Sequence, residues 1–342
     1  MERTALAVVG CGFFAQNHLH AWKDLEPKGV DVVAVCDVDE AKARAAAERF
    51  GIKSWYKDAE TMFREQKLDL VDIVTRVETH RDVVGQAIRH RIPTIVQKPF
   101  GPDLAACRAM ADEAKKAGTF LAVHENFRFQ VPMRKIAELL RSGAIGAPSW
   151  GRVSFRTGYD IYKGQPYLAK EERFVLIDLG VHVLDMARVL LGEVEHLSAE
   201  LQRRNPNVRG EDTATMLLKH RSGAVSIVEC TYEARRTPDL FPETLLEIEG
   251  PKGAIILKSG SVLDVAIDGK TSTYDVDAPV LAWAERPWHI IQESVLATCA
   301  HMLESVRAGR PADTSALDNV RTFGLVEAAY EAASSGRAVR FA

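Results

Sequence analysis

The sequence predicts two halves in tandem: an α/β half on a doubly wound parallel sheet, then an α+β half on a large open, mainly antiparallel sheet. Three observations predict this. The chain has 342 residues, which at roughly 100 to 200 residues per domain suggests two cores. Strand and helix patterns alternate over the first 125 residues, as a parallel sheet with crossover helices requires. Beyond that point strand patterns follow one another through tight turns, which only antiparallel neighbours permit.

In the first half, Leu6 to Val9 is a short apolar strand and about Ala15 to Leu25 a helix, broken by Pro27-Lys28-Gly29. Val30 to Cys36 reads as a fully buried strand, and Asp39 to Phe50 as an Ala-rich helix stopped by Gly51. A strand at about Leu70 to Thr75, a helix at about Asp82 to Arg89, a strand at Thr94 to Val96, a helix at about Asp103 to Ala117 and a strand at Phe120 to His124 follow. This is the layout of a doubly wound sheet of roughly six strands.

In the second half, helices at Met133 to Arg141 and Phe174 to Leu191 accompany eight strand-like segments. These are Trp150 to Arg156, Glu195 to Gln202, Ala214 to Lys219, Ala224 to Cys230, Thr244 to Glu249, Ala254 to Leu257, Val262 to Ile267 and Thr271 to Val276. Turn signals such as Arg221-Ser222-Gly223, Gly250-Pro251-Lys252-Gly253 and Asp268-Gly269 separate them. Helices at about Trp288 to Ala308 and Ser315 to Ser334 close the chain, giving expected domains of residues 1–124 and 125–342.

Composition excludes several function classes. With 44 Lys plus Arg against 47 Asp plus Glu the net charge is −3, and basic residues alternate with acidic ones. A phosphate-tracking face needs them clustered, so no nucleic-acid partner is expected. No apolar run reaches the roughly 18 residues of a membrane span. Residues 1–9 run straight into a strand pattern with no export signature, and the five Cys are widely spaced without a CxxC pair. Reduced, mostly buried thiols, a cytoplasmic location and no metal site are the expectations.

Three motifs carry chemistry. The first is Gly10-Cys11-Gly12-Phe13-Phe14-Ala15, the G-x-G-x-x-G/A fingerprint of a Rossmann dinucleotide site. Gly10 suits the tight turn, Gly12 the close approach of a pyrophosphate, and Ala15 the packing of a helix whose N-terminus faces the phosphates. Alone the match is weak, but it follows the first strand, opens a helix and precedes a strand ending at Asp37. A carboxylate there meets ribose hydroxyls and repels a 2′-phosphate, so NAD is the expected cofactor.

The second motif is Asp178, His182 and Asp185, recurring at i, i+4 and i+7 on an otherwise apolar helix pattern. Such a stripe faces either solvent or a polar cleft. An Asp one turn from a His can hold its tautomer for proton transfer, which is the reason to prefer a site. The third is Lys98 in Gln97-Lys98-Pro99-Phe100-Gly101-Pro102, directly after the strand Thr94 to Val96. It is either an exposed Lys in a Pro-rich turn or a ligand-facing group at the carboxyl end of the sheet.

In this order the motifs resemble the Gfo/Idh/MocA family of NAD(P)-dependent sugar and polyol oxidoreductases, over essentially the whole chain. The Thr75…His80 segment, the Lys98-Pro99 pair and the Asn126…Arg128-Phe129 segment add to the likeness. The resemblance implies a Rossmann domain followed by an open-sheet domain, a substrate-handling set of Lys98, Asp178 and His182, and cofactor contacts from Gly10, Gly12, Phe13, Phe14, Asp37, Thr75, His80, Gln97 and Lys98. Two departures stand out. Gln97 occupies the usual Glu position before the Lys, and Arg173-Phe174-Val175-Leu176 replaces a Gly-rich stretch before the Asp. The loop Tyr159 to Tyr167 is similar to a subgroup acting on free aldoses, D-apiose among them.

The expected reaction is hydride transfer between a sugar hydroxyl carbon and nicotinamide, with the protein managing the hydroxyl proton. A His starts near pKa 6.5 and a Lys near 10.4, so His182 is the expected base, Lys98 the group on the reacting oxygen, and Asp178 the sugar-binding, His-orienting carboxylate. Lys98 as acid/base is the alternative. Asn126, Arg128, Arg156, Tyr159 and Tyr162 are candidate substrate contacts. A non-catalytic NAD sensor would need no Lys, Asp and His set; an enzyme using bound NAD for hydrolysis or isomerisation remains a third possibility. Incomplete alternation in Ala224 to Cys230 and Thr244 to Glu249 leaves apolar side chains on the outer sheet face, so a homodimer or homotetramer is expected.

Overall fold

The computed structural model describes residues 3–341, so Met1, Glu2 and Ala342, which the sequence reading includes, lie outside the described residues. The chain divides into two compact units, Met1–Asn126 with Ser294–Phe323, and Phe127–Glu293 with Gly324–Ala342.

The first unit carries strands β1 (Thr4–Val9), β2 (Val30–Cys36), β3 (Ser54–Tyr56), β4 (Leu70–Ile73), β5 (Thr94–Gln97) and β6 (Leu121–His124). All are parallel, in the order β3-β2-β1-β4-β5-β6. Helices α1 (Ala15–Asp24), α2 (Glu40–Phe50), α3 (Ala59–Glu65), α4 (Val77–Arg89) and α5 (Leu104–Ala117) connect them. Their starts are chemically marked: the side chains of Asp39, Asp58 and Asp103 accept backbone N–H groups of Ala41, Thr61 and Ala106. β4, β5 and β6 are buried along their whole length, as strands covered on both faces must be. Strand order reverses between β1 and β4, so ligands are expected beyond their carboxyl ends.

The segment Ser294–Phe323 belongs to this unit, whereas the sequence reading placed everything after residue 124 in the second domain. Its hydrogen bonds explain the difference. Val123 N–H donates to Thr314 O at 2.9 Å, Asn126 Nδ2 to Ser294 Oγ at 2.6 Å, and Arg307 to Thr4 Oγ1 and Gly29 O. Val295, Cys299, Met302 and Leu303 are buried as well.

The second unit holds α6 (Val131–Arg141), β7 (Trp150–Arg156), α7 (Val181–Leu191), β8 (Val194–Gln202), β9 (Thr213–His220), β10 (Val225–Thr231), β11 (Leu245–Gly250), β12 (Gly253–Lys258), β13 (Val262–Ile267) and β14 (Lys270–Asp275). Helix α8 (His289–Arg307) begins in this unit and α9 (Ala316–Ser335) ends in it, followed by β15 (Val339–Arg340). The nine strands run β14-β13-β12-β11-β7-β10-β9-β8-β15. Every pairing is antiparallel except β7 with β10. That exception arises because α7 and the β8–β9 pair intervene in sequence, so β10 returns beside β7 in the same direction. α7 packs on β7 and β10. The opposite face is half-open, with Leu217 exposed and Val225, Ile227, Leu245 and Ile256 only partly covered.

Candidate active site

The first unit places its candidates at strand ends. Gly10 follows β1 with φ +98°, and a Cβ there would sit 2.4 Å from Val74 O, so only glycine fits the turn. A Cβ on Gly12 would meet nothing within 4 Å; nothing in the chain itself demands glycine there, as expected where a ligand backbone must come close. Phe13 and Val38 stand exposed nearby in sequence, while Ala15 is buried under α1. Asp37 accepts the Cys11 N–H and the Asp39 N–H, each at 2.8 Å, binding the end of β2 to the fingerprint turn. These residues fit a dinucleotide: an open glycine, a helix N-terminus behind it and a carboxylate at the end of β2, where this type of site meets ribose hydroxyls.

Thr75 follows β4, and its hydroxyl accepts from Thr79 at 2.8 Å. His80 is buried, with Nδ1 3.2 Å from Phe100 O and Nε2 3.2 Å from Thr75 O. Burial pushes its pKa down, so the ring is neutral and donates to one of these two carbonyls while packing against the other. Gln97 is likewise buried; its Oε1 accepts the Lys98 N–H at 2.6 Å and its Nε2 lies 2.9 Å from His18 Nε2. Lys98 itself is half-exposed.

The second unit presents its candidates from a helix. Leu176–Gly180 is a π-helical turn leading into α7, where a uniform α-helix was expected. Such turns shift side chains out of the 3.6-residue phase. Glu211 fixes the start of this segment, accepting from the Phe174 and Leu176 N–H groups at 3.1 Å and from the Tyr330 hydroxyl. Asp178 in the π turn accepts the Tyr232 hydroxyl at 2.7 Å. Burial and the Asp178 charge keep that phenol protonated far above its usual range, so Tyr232 is a permanent donor. His182 is buried and stacks flat on Phe127, with ring centres 3.8 Å apart and planes 5° apart. One turn further, Asp185 receives a two-pronged ion pair from Arg128, one arm at 2.7 Å.

The other predicted contacts separate. Tyr159 stacks on Phe241 at 3.9 Å and meets Trp288 edge-on, forming a partly exposed aromatic platform. Tyr162 packs against Phe174 and burial drives its phenol pKa up. Arg156 lies with Arg152 around Glu229, at 3.1 Å for Arg156. By strand alternation this is the face opposite Phe155, whose ring approaches Phe127 beneath His182. Arg156 is therefore engaged on the open sheet face. Asn126 belongs to the first unit, through Ser294.

Sequence reasoning missed Tyr232, Phe127 and Glu211. Tyr232 carried no local signal, because it reaches Asp178 only through the pairing of distant segments. The five cysteines are free and buried, as expected. Among the described residues, one set of metal-ligand types comes together, His18, His124 and Cys299 in the first unit, but both His18 nitrogens already face hydrogen-bond partners.

Residues 4–125 match the oxidoreductase family with an NAD-binding Rossmann fold, GFO/IDH/MocA, and residues 133–256 match that family's C-terminal domain. The chain belongs to the GFO/IDH/MocA family. It is an NAD-dependent oxidoreductase, as its first unit and fingerprint already indicate. Among curated proteins it is 47% identical to a D-apiose dehydrogenase of Rhizobium rhizogenes, over 97% of this chain and 96% of that one. A D-apiose dehydrogenase of Paraburkholderia graminis is 46% identical over 99% and 90%. A crystal structure of an oxidoreductase from Agrobacterium radiobacter in complex with NAD+, L-tartaric acid and magnesium is 46% identical, with a TM-score of 0.97 over 99% of this chain and 98% of that one.

Proposed function

We propose that this chain is an NAD-dependent aldose dehydrogenase whose substrate is D-apiose or a closely similar free sugar. The observation that carries the reading is the match, along nearly the whole of both chains, to two D-apiose dehydrogenases. The site geometry agrees with it: the second unit offers a carboxylate, an imidazole and an aromatic platform, groups suited to hydroxyls and to the C–H face of a sugar.

Bound NAD supplies the hydride acceptor, and Gly10, Gly12, Asp37 and the α1 N-terminus are the residues that would hold it. The chain's own work is to position the sugar and move one proton. Asp178, fixed by Tyr232, binds a sugar hydroxyl and fixes its direction. His182, held in plane by Phe127, takes the proton from the hydroxyl of the carbon being oxidised. Lys98 is the group assigned to favour alkoxide character at the reacting oxygen. Arg128 and Asp185 lock the next turn of α7, so the imidazole keeps its orientation.

Initial rates of NADH formation test the reading with D-apiose, other aldoses and inositols. D-apiose should give the highest kcat/KM; a higher value for an inositol would displace it. The assembly part of the reading is a homodimer through the half-open sheet face, supported by Leu217 opposite Ile227 on adjacent strands of that face. Light scattering should give about twice the 37.8 kDa chain mass. A cytoplasmic location is supported by the free thiols. No helix among the described residues is long and apolar enough to cross a membrane.

A further inference from the structure

Beneath the fingerprint helix the first unit buries an unusual amount of polarity. His18 and Trp22 on α1, Asp72 on β4, Gln97 on β5, His124 on β6 and Cys299 on α8 meet with essentially no solvent exposure. The hydrogen bonds fix the chemical state of this group from one end. A backbone N–H can only donate, so the Lys98 N–H, 2.6 Å away, identifies its Gln97 partner as the amide oxygen. The other arm of the amide is then the NH2 donor. It lies 2.9 Å from His18 Nε2, which must therefore accept. A lone pair on Nε2 puts the single ring proton on Nδ1, 2.7 Å from Asp72 Oδ2. The same carboxylate oxygen accepts the Trp22 Nε1–H at 2.7 Å.

We propose that Asp72, His18 and Gln97 form a positioning unit for Lys98, with the Gln97 amide holding His18 as the neutral Nδ1–H tautomer.

Every link has one allowed donor direction, so the chain of bonds runs without ambiguity from Asp72 to the main chain at the root of the Lys98 side chain. The remaining groups around His18 supply no competing charge. Burial pushes the His124 pKa down to about 3 and keeps the Cys299 thiol protonated well above its usual range, while Phe14 meets the ring only edge-on. Burial opposes ionisation of Asp72, and the two N–H donors on its Oδ2, from His18 and Trp22, favour it. A carboxylate at position 97 would still accept the Lys98 N–H, but it would also accept from His18 Nε2, and the ring would take up a proton between two carboxylates. The choice of amide over acid at 97 thus sets the charge of a side chain two bonds removed from Lys98. The kinetic consequence rests on the proposed role of Lys98; the tautomer does not.

Nitrogen-15 NMR of the histidine-labelled protein, with His18 assigned by substitution, tests the tautomer directly. At about pH 7.5 His18 should show a protonated Nδ1 and an unprotonated Nε2. Gln97→Glu should convert it to imidazolium at the same pH. An imidazolium or an Nε2–H tautomer in the wild-type protein overturns the proposal, as does a neutral His18 in Gln97→Glu. The wild-type spectrum decides even if a variant fails to fold. For positioning, Gln97→Leu should lower kcat about tenfold with KM for NAD unchanged within about twofold, yet add less than about twofold in a Lys98→Ala background. Additive losses would overturn the link to Lys98. Full activity of Lys98→Ala would remove Lys98 from the chemistry and the kinetic link with it, while the His18 spectra still rule on the tautomer.

Discussion

The two units present their candidate groups by different means. In the first, these groups stand on turns at the carboxyl ends of parallel strands. Backbone geometry shapes them, as at Gly10 and the Gln97–Lys98 turn, and a buried polar layer braces them from beneath. In the second, they stand on a helix that crosses an antiparallel sheet. Side chains from remote segments aim them: Tyr232 onto Asp178, Phe127 under His182, Arg128 onto Asp185. The comparison teaches that substitutions at the fingerprint turn should act through chain geometry and cofactor binding, and those at Lys98 and in the second unit through the reacting groups at constant cofactor affinity.

The largest effect is expected where backbone alone decides. Gly10→Ala forces a Cβ to within 2.4 Å of Val74 O at a left-handed φ, and NAD affinity measured by calorimetry should fall at least about 100-fold. Retained affinity would break the backbone half of the comparison. Next come Lys98→Ala and His182→Ala, each lowering kcat about 100-fold or more, as loss of a proton-handling group does, with NAD affinity nearly unchanged. Tyr232→Phe deletes one hydrogen bond to a charged acceptor, so kcat/KM for the sugar should drop about tenfold while KM for NAD stays put. A shift in NAD affinity instead would contradict the division of labour.

The smallest effect concerns stability. His124 stays neutral in the fold down to about pH 3 because it is buried, whereas an unfolded His protonates near 6.5. As pH falls below about 6.5 the unfolded chain binds a proton the folded one refuses, so this site loses stability progressively toward acid. His124→Gln should flatten the fall of Tm between about pH 6.5 and 4; an unchanged slope would show that other groups govern acid unfolding.

How much of this was legible in the sequence follows the same divide. The parallel half was readable because its caps are local: Asp39, Gly51 and Asp103 all act within a few residues of themselves, and the Gly10 turn directly follows its strand. Ser54–Tyr56 and Ala59–Glu65 escaped because three and seven residues are too short to show a period. His18 shares the buried face of α1 with Ala15, Leu19 and Trp22, so periodicity placed it in the core, but its partners come from three other strands. Eight of the nine strands of the mixed sheet were marked by their turn residues. The π turn was not, since one widened turn leaves the run of apolar residues intact. The partners that aim those two side chains lie about 50 residues away in each direction and leave no trace in local spacing.

The central claim is that the chain carries out net oxidation of a sugar carbon. Measuring NADH formed per sugar consumed, with D-apiose in limiting amount, tests it most directly. One NADH per sugar, together with a product two hydrogens lighter, is the predicted result. Consumption of sugar with no accumulation of NADH would contradict it and would make the bound cofactor a participant in hydrolysis or isomerisation.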